Sequence, residues 1–337
     1  MTLLLLFSCT LTLWGEDCDT GLDTGPDGGT DGGTPDGGGT DGGGTDGGTP
    51  DGGGTDGGGT TTVESAPEWL GVAAGGLFSC GLRVDGSLRC WGNDSEGQST
   101  PPSGSYQLQA AGYEHACAAL AGGPPSCWGR DDQGQASPPA ALTVVGLSLG
   151  GAHGCGLEAG GAVACWGRDT EGQATPPAGL SAGFVAAGWR HSCAVTETEV
   201  LCWGADERGQ VSGTPASAAR LVMAGLEHSC AILADQRLSC WGSDDDGQSS
   251  PPSGEYQDLA LGADFSCAVD TSQRVQCWGA DDHGQVSGAP TALVQSVTAS
   301  SGGRHACALL VAEPEDPGAR IACWGLDFDG QAAVPLD

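Results

Sequence analysis

From Trp69 onward the apolar residues come in short runs, and Gly, Pro and acidic residues cut the chain between them. One unit shows the pattern. "VAAG" at 72–75 is a small apolar run ending in Gly, and "FSCGLRVDGSLRC" at 78–90 then alternates about a turn. Alternation of period two puts Cys80, Leu82, Leu88 and Cys90 on one face of a strand pair and Gly81 and Trp91 on the other. Val84-Asp85-Gly86 suits a three-residue hairpin loop with Gly in the left-handed position, which sets Cys80 directly opposite Cys90. The same construction is predicted for Ala121-Gly122-Gly123 and Ala159-Gly160-Gly161. Each unit thus predicts three short strands: one from the Gly-terminated run and two from the hairpin.

The unit recurs, and fixed self-similarity outranks any local motif. C-W-G occurs seven times, at Cys90, Cys127, Cys165, Cys202, Cys240, Cys277 and Cys323. An earlier cysteine precedes each, at Cys80, Cys117, Cys155, Cys193, Cys230, Cys267 and Cys307, and these first cysteines are 37 to 40 residues apart. After every C-W-G comes an Asp and then G-Q, the D-x-x-G of a turn in which Asp caps backbone amides. Both faces of each predicted sheet are apolar, as a small sheet needs when it is sandwiched between two neighbours. Small sheets repeated radially make a β-propeller. The expected fold is therefore all-β: a seven-bladed β-propeller of seven repeats of about 38 residues, occupying residues 67–337.

Composition separates the rest of the chain from this domain. Residues 16–66 form a Gly/Asp/Thr-rich tract whose T-D-G-G-G repeats hold almost nothing to bury, so it is expected to be a disordered linker. A calcium-binding Gly/Asp solenoid would need an apolar residue in every repeat. Ahead of it, "MTLLLLFSCTLTLW" suits the apolar region of a signal peptide over 1–15 and is too short to span a bilayer. Cys9 stands where a bacterial lipoprotein signal places its lipidated cysteine, and plain cleavage near Gly15 is the alternative. Sixteen cysteines also fit an oxidising compartment. The expected localisation is exported, in the cell envelope or outside the cell, with no membrane contact beyond a lipid on Cys9.

Charge narrows the partners. The chain carries 43 Asp and Glu against 11 Arg and no Lys, a net of −32, and residues 63–337 alone carry −21. Nucleic-acid binding draws on clustered Lys and Arg, so no nucleic-acid partner is expected.

The unit G-x-x-H-S-C-A-L, turn, C-W-G-x-D-x-x-G-Q, followed by a Pro-rich loop, resembles the repeat of the regulator of chromosome condensation family, whose hallmark is W-G-x-N-x-x-G-Q with a His on the preceding strand. The resemblance runs from 69 to 337 and implies a seven-bladed propeller. Asp replaces the usual Asn here, and the paired cysteines match the short repeats of exported bacterial members. In eukaryotes the family includes guanine-nucleotide exchange factors that act on a small GTPase and bind chromatin. A secreted bacterial relative, beta-lactamase inhibitor protein II, instead blocks an enzyme with one propeller face. Export, acidity and the lack of Lys set this chain beside the second kind. The expected function is an exported protein-binding module of scaffold, adhesion or inhibitor type, monomeric and non-enzymatic. Exchange-factor-like regulation, or a lyase or other enzyme at the channel mouth, are the alternatives.

The cysteine pairs read as disulfides, as metal ligands or as buried thiols, and direct opposition on paired strands favours disulfides. His115, His153, His191, His228 and His305 stand two residues before a first cysteine, where zinc bound by His and two Cys is conceivable; Phe78 and Phe265 fill the same place, which argues for packing. The repeated Asp could bind calcium, yet turn capping explains their fixed spacing. Every recurring residue has a structural task, so neither a cofactor nor a catalytic residue is expected. Function should then lie where the repeats differ, in the two residues before each His or Phe. These supply Tyr113, Glu114, Trp189, Arg190, Leu226, Glu227, Asp264 and Arg304, and Tyr, Trp and Arg are the types that anchor protein interfaces.

Overall fold

The computed structural model describes residues 69–312 and 320–335. The expected leader, Cys9, the linker and the start of the domain at 67 lie outside these residues, as does 313–319 of the last hairpin loop. The described chain folds into 21 strands forming seven three-stranded antiparallel sheets, each built from consecutive strands, with no helix. Blade 1 has an inner strand Trp69–Ala74, a middle strand Phe78–Arg83 and an outer strand Leu88–Gly92, and blades 2 to 7 repeat this order. The first strand is the innermost because each touches the first strands of both neighbouring blades, all the way round the ring.

The register explains the repeated cysteines. Cys80 pairs with Cys90 across the middle and outer strands, and the six later pairs hold the same position. All seven pairs are disulfides with Cα atoms 4.0 Å apart. The spacing of nine at Cys193 and of 16 at Cys307 change only the hairpin loop.

Turn chemistry follows the expected form in blades 1 and 3, where Gly86 and Gly161 both have φ of 84°. Blade 2 differs. There Gly122, not Gly123, takes the positive φ of 76°, because Gly123 precedes Pro124 and the residue before a proline is held in the extended region. The small residue after the first cysteine leaves room for the inner strand. A Cβ on Gly81 would collide with Trp69 of the inner strand, whereas Trp91 pairs with Ser79.

One set of polar bonds ties each turn together and a second joins the blades. The turn Asp accept amide protons as predicted: Asp94 Oδ1 from Ser99 and Asp206 Oδ1 from Val211, both at 2.8 Å, with equivalents in every blade. The Gln that ends each turn then turns its carbonyl to the next blade, where a Trp indole donates to it. Trp128 bonds Gln98 at 2.9 Å, Trp166 bonds Gln135 at 2.9 Å, and so on to Trp324 on Gln285. Trp91 of blade 1 bonds Gln331 of blade 7 at 3.0 Å, which closes the ring with the bond used at every other seam.

Candidate interaction face

Each middle strand starts at the His or Phe, and that residue pairs with the Gly of C-W-G, as His115 does with Gly129. The two-residue loop before the His and the D-x-x-G-Q turn after the Trp therefore emerge at the same end of the propeller. This loop end is the candidate face.

At its centre lie two aromatic side chains that the sequence places 76 residues apart. The rings of Tyr113 in blade 2 and Trp189 in blade 4 meet edge to face, with centroids 4.9 Å apart. They reach each other over glycines. A Cβ on Gly76 or Gly302 would strike one or both rings, and one on Gly151 would come within 2.8 Å of Trp189 Cε3. The blades that carry Gly in this loop thus leave room for the blades that carry an aromatic. Gly302 belongs to a turn peculiar to blade 7, closed by Gly303 donating to the Ser300 carbonyl at 2.8 Å.

Around the pair runs a band of charge. Glu114 is bound to Arg130 at 2.6 Å, and Arg130 also grips Asp132 at 2.7 Å. Bonds from Arg130 and then Gln135 hold the Asp132 carboxyl down at about 2. Arg190 lies between Glu227 at 3.6 Å and Glu171 at 4.0 Å, while Arg208 bridges Glu227 to Asp245. Arg304 faces Asp264 at 3.7 Å. Leu226 sits half-buried in the blade 5 loop. Of the residues expected at the face, Tyr113 with Trp189, Arg190 with Glu227 and Asp264 with Arg304 come together as pairs. Arg130, Asp132, Glu171, Arg208 and Asp245 complete the network from the turns, where the repeats also vary on either side of the fixed Asp. Phe328, 84% exposed and 6.0 Å from the His283 ring, stands in the blade 7 turn at the rim.

Beneath the loops the five histidines of the middle strands are fully buried. His153 Nε2 meets Ser192 Oγ at 2.8 Å, His191 meets Ser229 at 2.8 Å, His228 meets Ser266 at 3.0 Å and His305 meets Ser79 at 2.9 Å, in each case across a seam to the next blade. Burial pushes these rings down to about 3 to 4, so they stand neutral at physiological pH. A neutral ring bonded to a hydroxyl, with its neighbouring cysteines in disulfides, is arranged as a packing element of the seam. The turn Asp are likewise committed to amides, and Asp94 Oδ2 also accepts from the Thr100 hydroxyl.

Seven three-stranded sheets in a closed circle, with an aromatic centre and a charged band on one end, define a seven-bladed β-propeller. The pattern described as the regulator of chromosome condensation (RCC1) repeat matches at residues 70–98, 184–210, 221–248 and 256–285, so that four of the seven blades, 1, 4, 5 and 6, carry it. No curated protein matches it in sequence. Among solved structures it is similar to the ectodomain of the receptor kinase CR4 from Physcomitrella patens, at 25% identity over 77% of this chain and 74% of that one, with a TM-score of 0.62. The ectodomain of the receptor kinase ACR4 from Arabidopsis thaliana is 24% identical over 78% of this chain and 99% of its own, with a TM-score of 0.59. Prp20p from Saccharomyces cerevisiae, a protein with binding properties to Gsp1p and histones, is 16% identical over 75% of this chain and 81% of its own, with a TM-score of 0.58. The last two show the shared fold.

Proposed function

We propose that this chain is an exported protein-binding module that works through its loop end and catalyses no reaction. The observation that carries the reading is the Tyr113–Trp189 pair, half-exposed at the centre of the face and surrounded by charged side chains. Large aromatics at the middle of a patch with a polar rim are the anatomy of a protein interface. Arg130, Arg190, Arg208 and Arg304 are engaged in ion pairs and the fixed turn Asp in caps, which fits a recognition surface better than a nucleophile with its base. Export is supported by seven disulfides within one domain and by the likeness to receptor ectodomains. The apolar leader, ending in Cys9 lipidation or cleavage near Gly15, would deliver the domain, and residues 16–66 would space it from a surface.

Capture from envelope and culture-medium extracts tests the reading. The full chain should retain a specific protein, and Trp189→Ala and Tyr113→Ala should each lose it while the fold is kept. Capture indifferent to both substitutions refutes the face.

A further inference from the structure

Charge is divided unequally between the two ends of the propeller. Among the described residues, the loops and turns of the loop end hold 18 Asp and Glu against five Arg, while the strands and the hairpin end together hold eight against six. The loop end is therefore near −13 and the rest of the described residues near −2; Glu313, Glu315 and Asp316, which the sequence adds to the last hairpin loop, bring the hairpin side to near −5, still well short of the loop end. The local cations do not cancel the excess, since Arg130, Arg190, Arg208 and Arg304 each already serve one or two carboxylates. The crowding is felt at Asp264. Burial raises its carboxyl, Arg304 pulls it back, and Asp246, Glu227 and Asp282 push it up again.

Two apolar features sit inside this field: the Tyr113–Trp189 pair at the centre and Phe328 at the rim. Just before Gly302, on which the pair rests, the hydroxyls of Ser300 and Ser301 are buried without a protein partner. An acidic partner or a phosphate backbone approaching here meets like charge, whereas a cation gains on approach and again over an aromatic ring.

We infer that the occupant of the loop end is a Lys/Arg-rich segment of another protein, laid across the acidic turns with one cationic or apolar side chain on the Tyr113–Trp189 pair. The inference rests on the loop end being the binding face, and it adds the chemistry of what binds there. Steering by the field makes association fast at low salt and strongly salt-dependent.

The test uses the full chain and a synthetic 12-residue Lys/Arg-rich peptide containing one Leu, titrated by calorimetry, with an Asp/Glu-rich peptide of equal length as control. Two charge-reversal triples change the net charge equally at exposed positions: Glu207→Lys/Asp246→Lys/Asp282→Lys at the loop end and Glu197→Lys/Glu199→Lys/Glu255→Lys at the hairpin end. The expected result is a loss of about tenfold or more in affinity for the basic peptide with the loop-end triple and with Trp189→Ala, and under about threefold with the hairpin-end triple. No binding by the wild-type chain, or equal losses with both triples, overturns the inference. If extract capture depends on Trp189 while the basic peptide is ignored, the face stands and its cationic occupant falls. Should capture ignore Trp189 and Tyr113 as well, the face itself is wrong.

Discussion

His305 Nε2 meets Ser79 Oγ at 2.9 Å, a contact between blade 7 and blade 1 across 226 residues of chain. The same pairing of one blade's ring with the next blade's small residue explains which blades have His. Where the next blade offers Ser, at Ser192, Ser229, Ser266 and Ser79, the ring is His; Phe78 and Phe265 pack instead with Ala116 and Ala306. A buried hydroxyl and a buried imidazole satisfy each other, and so do a phenyl ring and a methyl group. The exception is His115, which faces Gly154. A serine Cβ there would lie 2.6 Å from Leu149 and 2.7 Å from Trp166.

The pairing predicts a compensating double substitution. Ser192→Ala strands the His153 ring and should cost about 1–3 kcal/mol. His153→Phe in the same chain restores a pair of the kind at Phe78 and Ala116, so the double variant should recover most of the loss. Chemical denaturation of the four members of the cycle gives the coupling; a double variant no more stable than Ser192→Ala refutes the matching.

Acid should open the ring. The seam histidines are held at about 3 to 4 in the folded protein against an unfolded value of 6.5, so the unfolded chain takes up protons first as pH falls. Their stability is intact above 6.5 and lost between 6.5 and about 3 to 4, at about 1.4 kcal/mol per pH unit for each ring. Denaturation midpoints across this range should fall steeply in the wild type and less steeply in the His153→Phe/Ser192→Ala variant.

Asp258 has the opposite sign. It accepts amide protons from Leu259 and, across a seam, from Val297 at 2.9 Å, yet burial raises it to about 6. A folded value above the unfolded 3.8 favours the protonated form, so its contribution is fully present below 3.8 and lost as pH rises through 6. Asp258→Asn keeps an acceptor without the charge. It should stabilise the protein by up to about 3 kcal/mol at pH 7 and by almost nothing at pH 4, read from paired melts at the two values.

Each disulfide closes a short loop. By the chain-entropy account, Cys193→Ala/Cys202→Ala should cost about 3 kcal/mol, a value that residual hairpin order in the unfolded chain would reduce. Mass spectrometry of exported protein, alkylated before reduction, should find no alkylated cysteine at Cys117 or Cys127; free thiols there would refute the bonded pair.

The repeat made much of this legible. Seven copies of C-W-G and G-Q announce seven units, and a period of two about a Gly turn is enough to set Cys80 against Cys90. Tyr113 and Trp189 were visible as odd residues in a variable loop. That they touch was not, because the contact depends on glycines in three other blades. The partners of Glu114 and Glu227 were missed for a related reason: Arg130 and Arg208 occupy the turn, a second variable stretch brought to the same end only by the antiparallel register. Nor could the seam bonds be read, since each joins residues from neighbouring repeats and the order of strands from axis to rim has to be known first.

The seams make the blades behave like dominoes. Every blade shows a Ser, Ala or Gly to the one before it and a His or Phe to the one after. Blades 4 and 5 carry the same two ends, as do blades 1 and 6, and blades 2 and 7. Exchange within these couples would leave every seam matched, whereas exchanging blade 1 with blade 4 would set a phenyl against a hydroxyl. A propeller that grows by duplicating blades is free to do so only where the tiles agree.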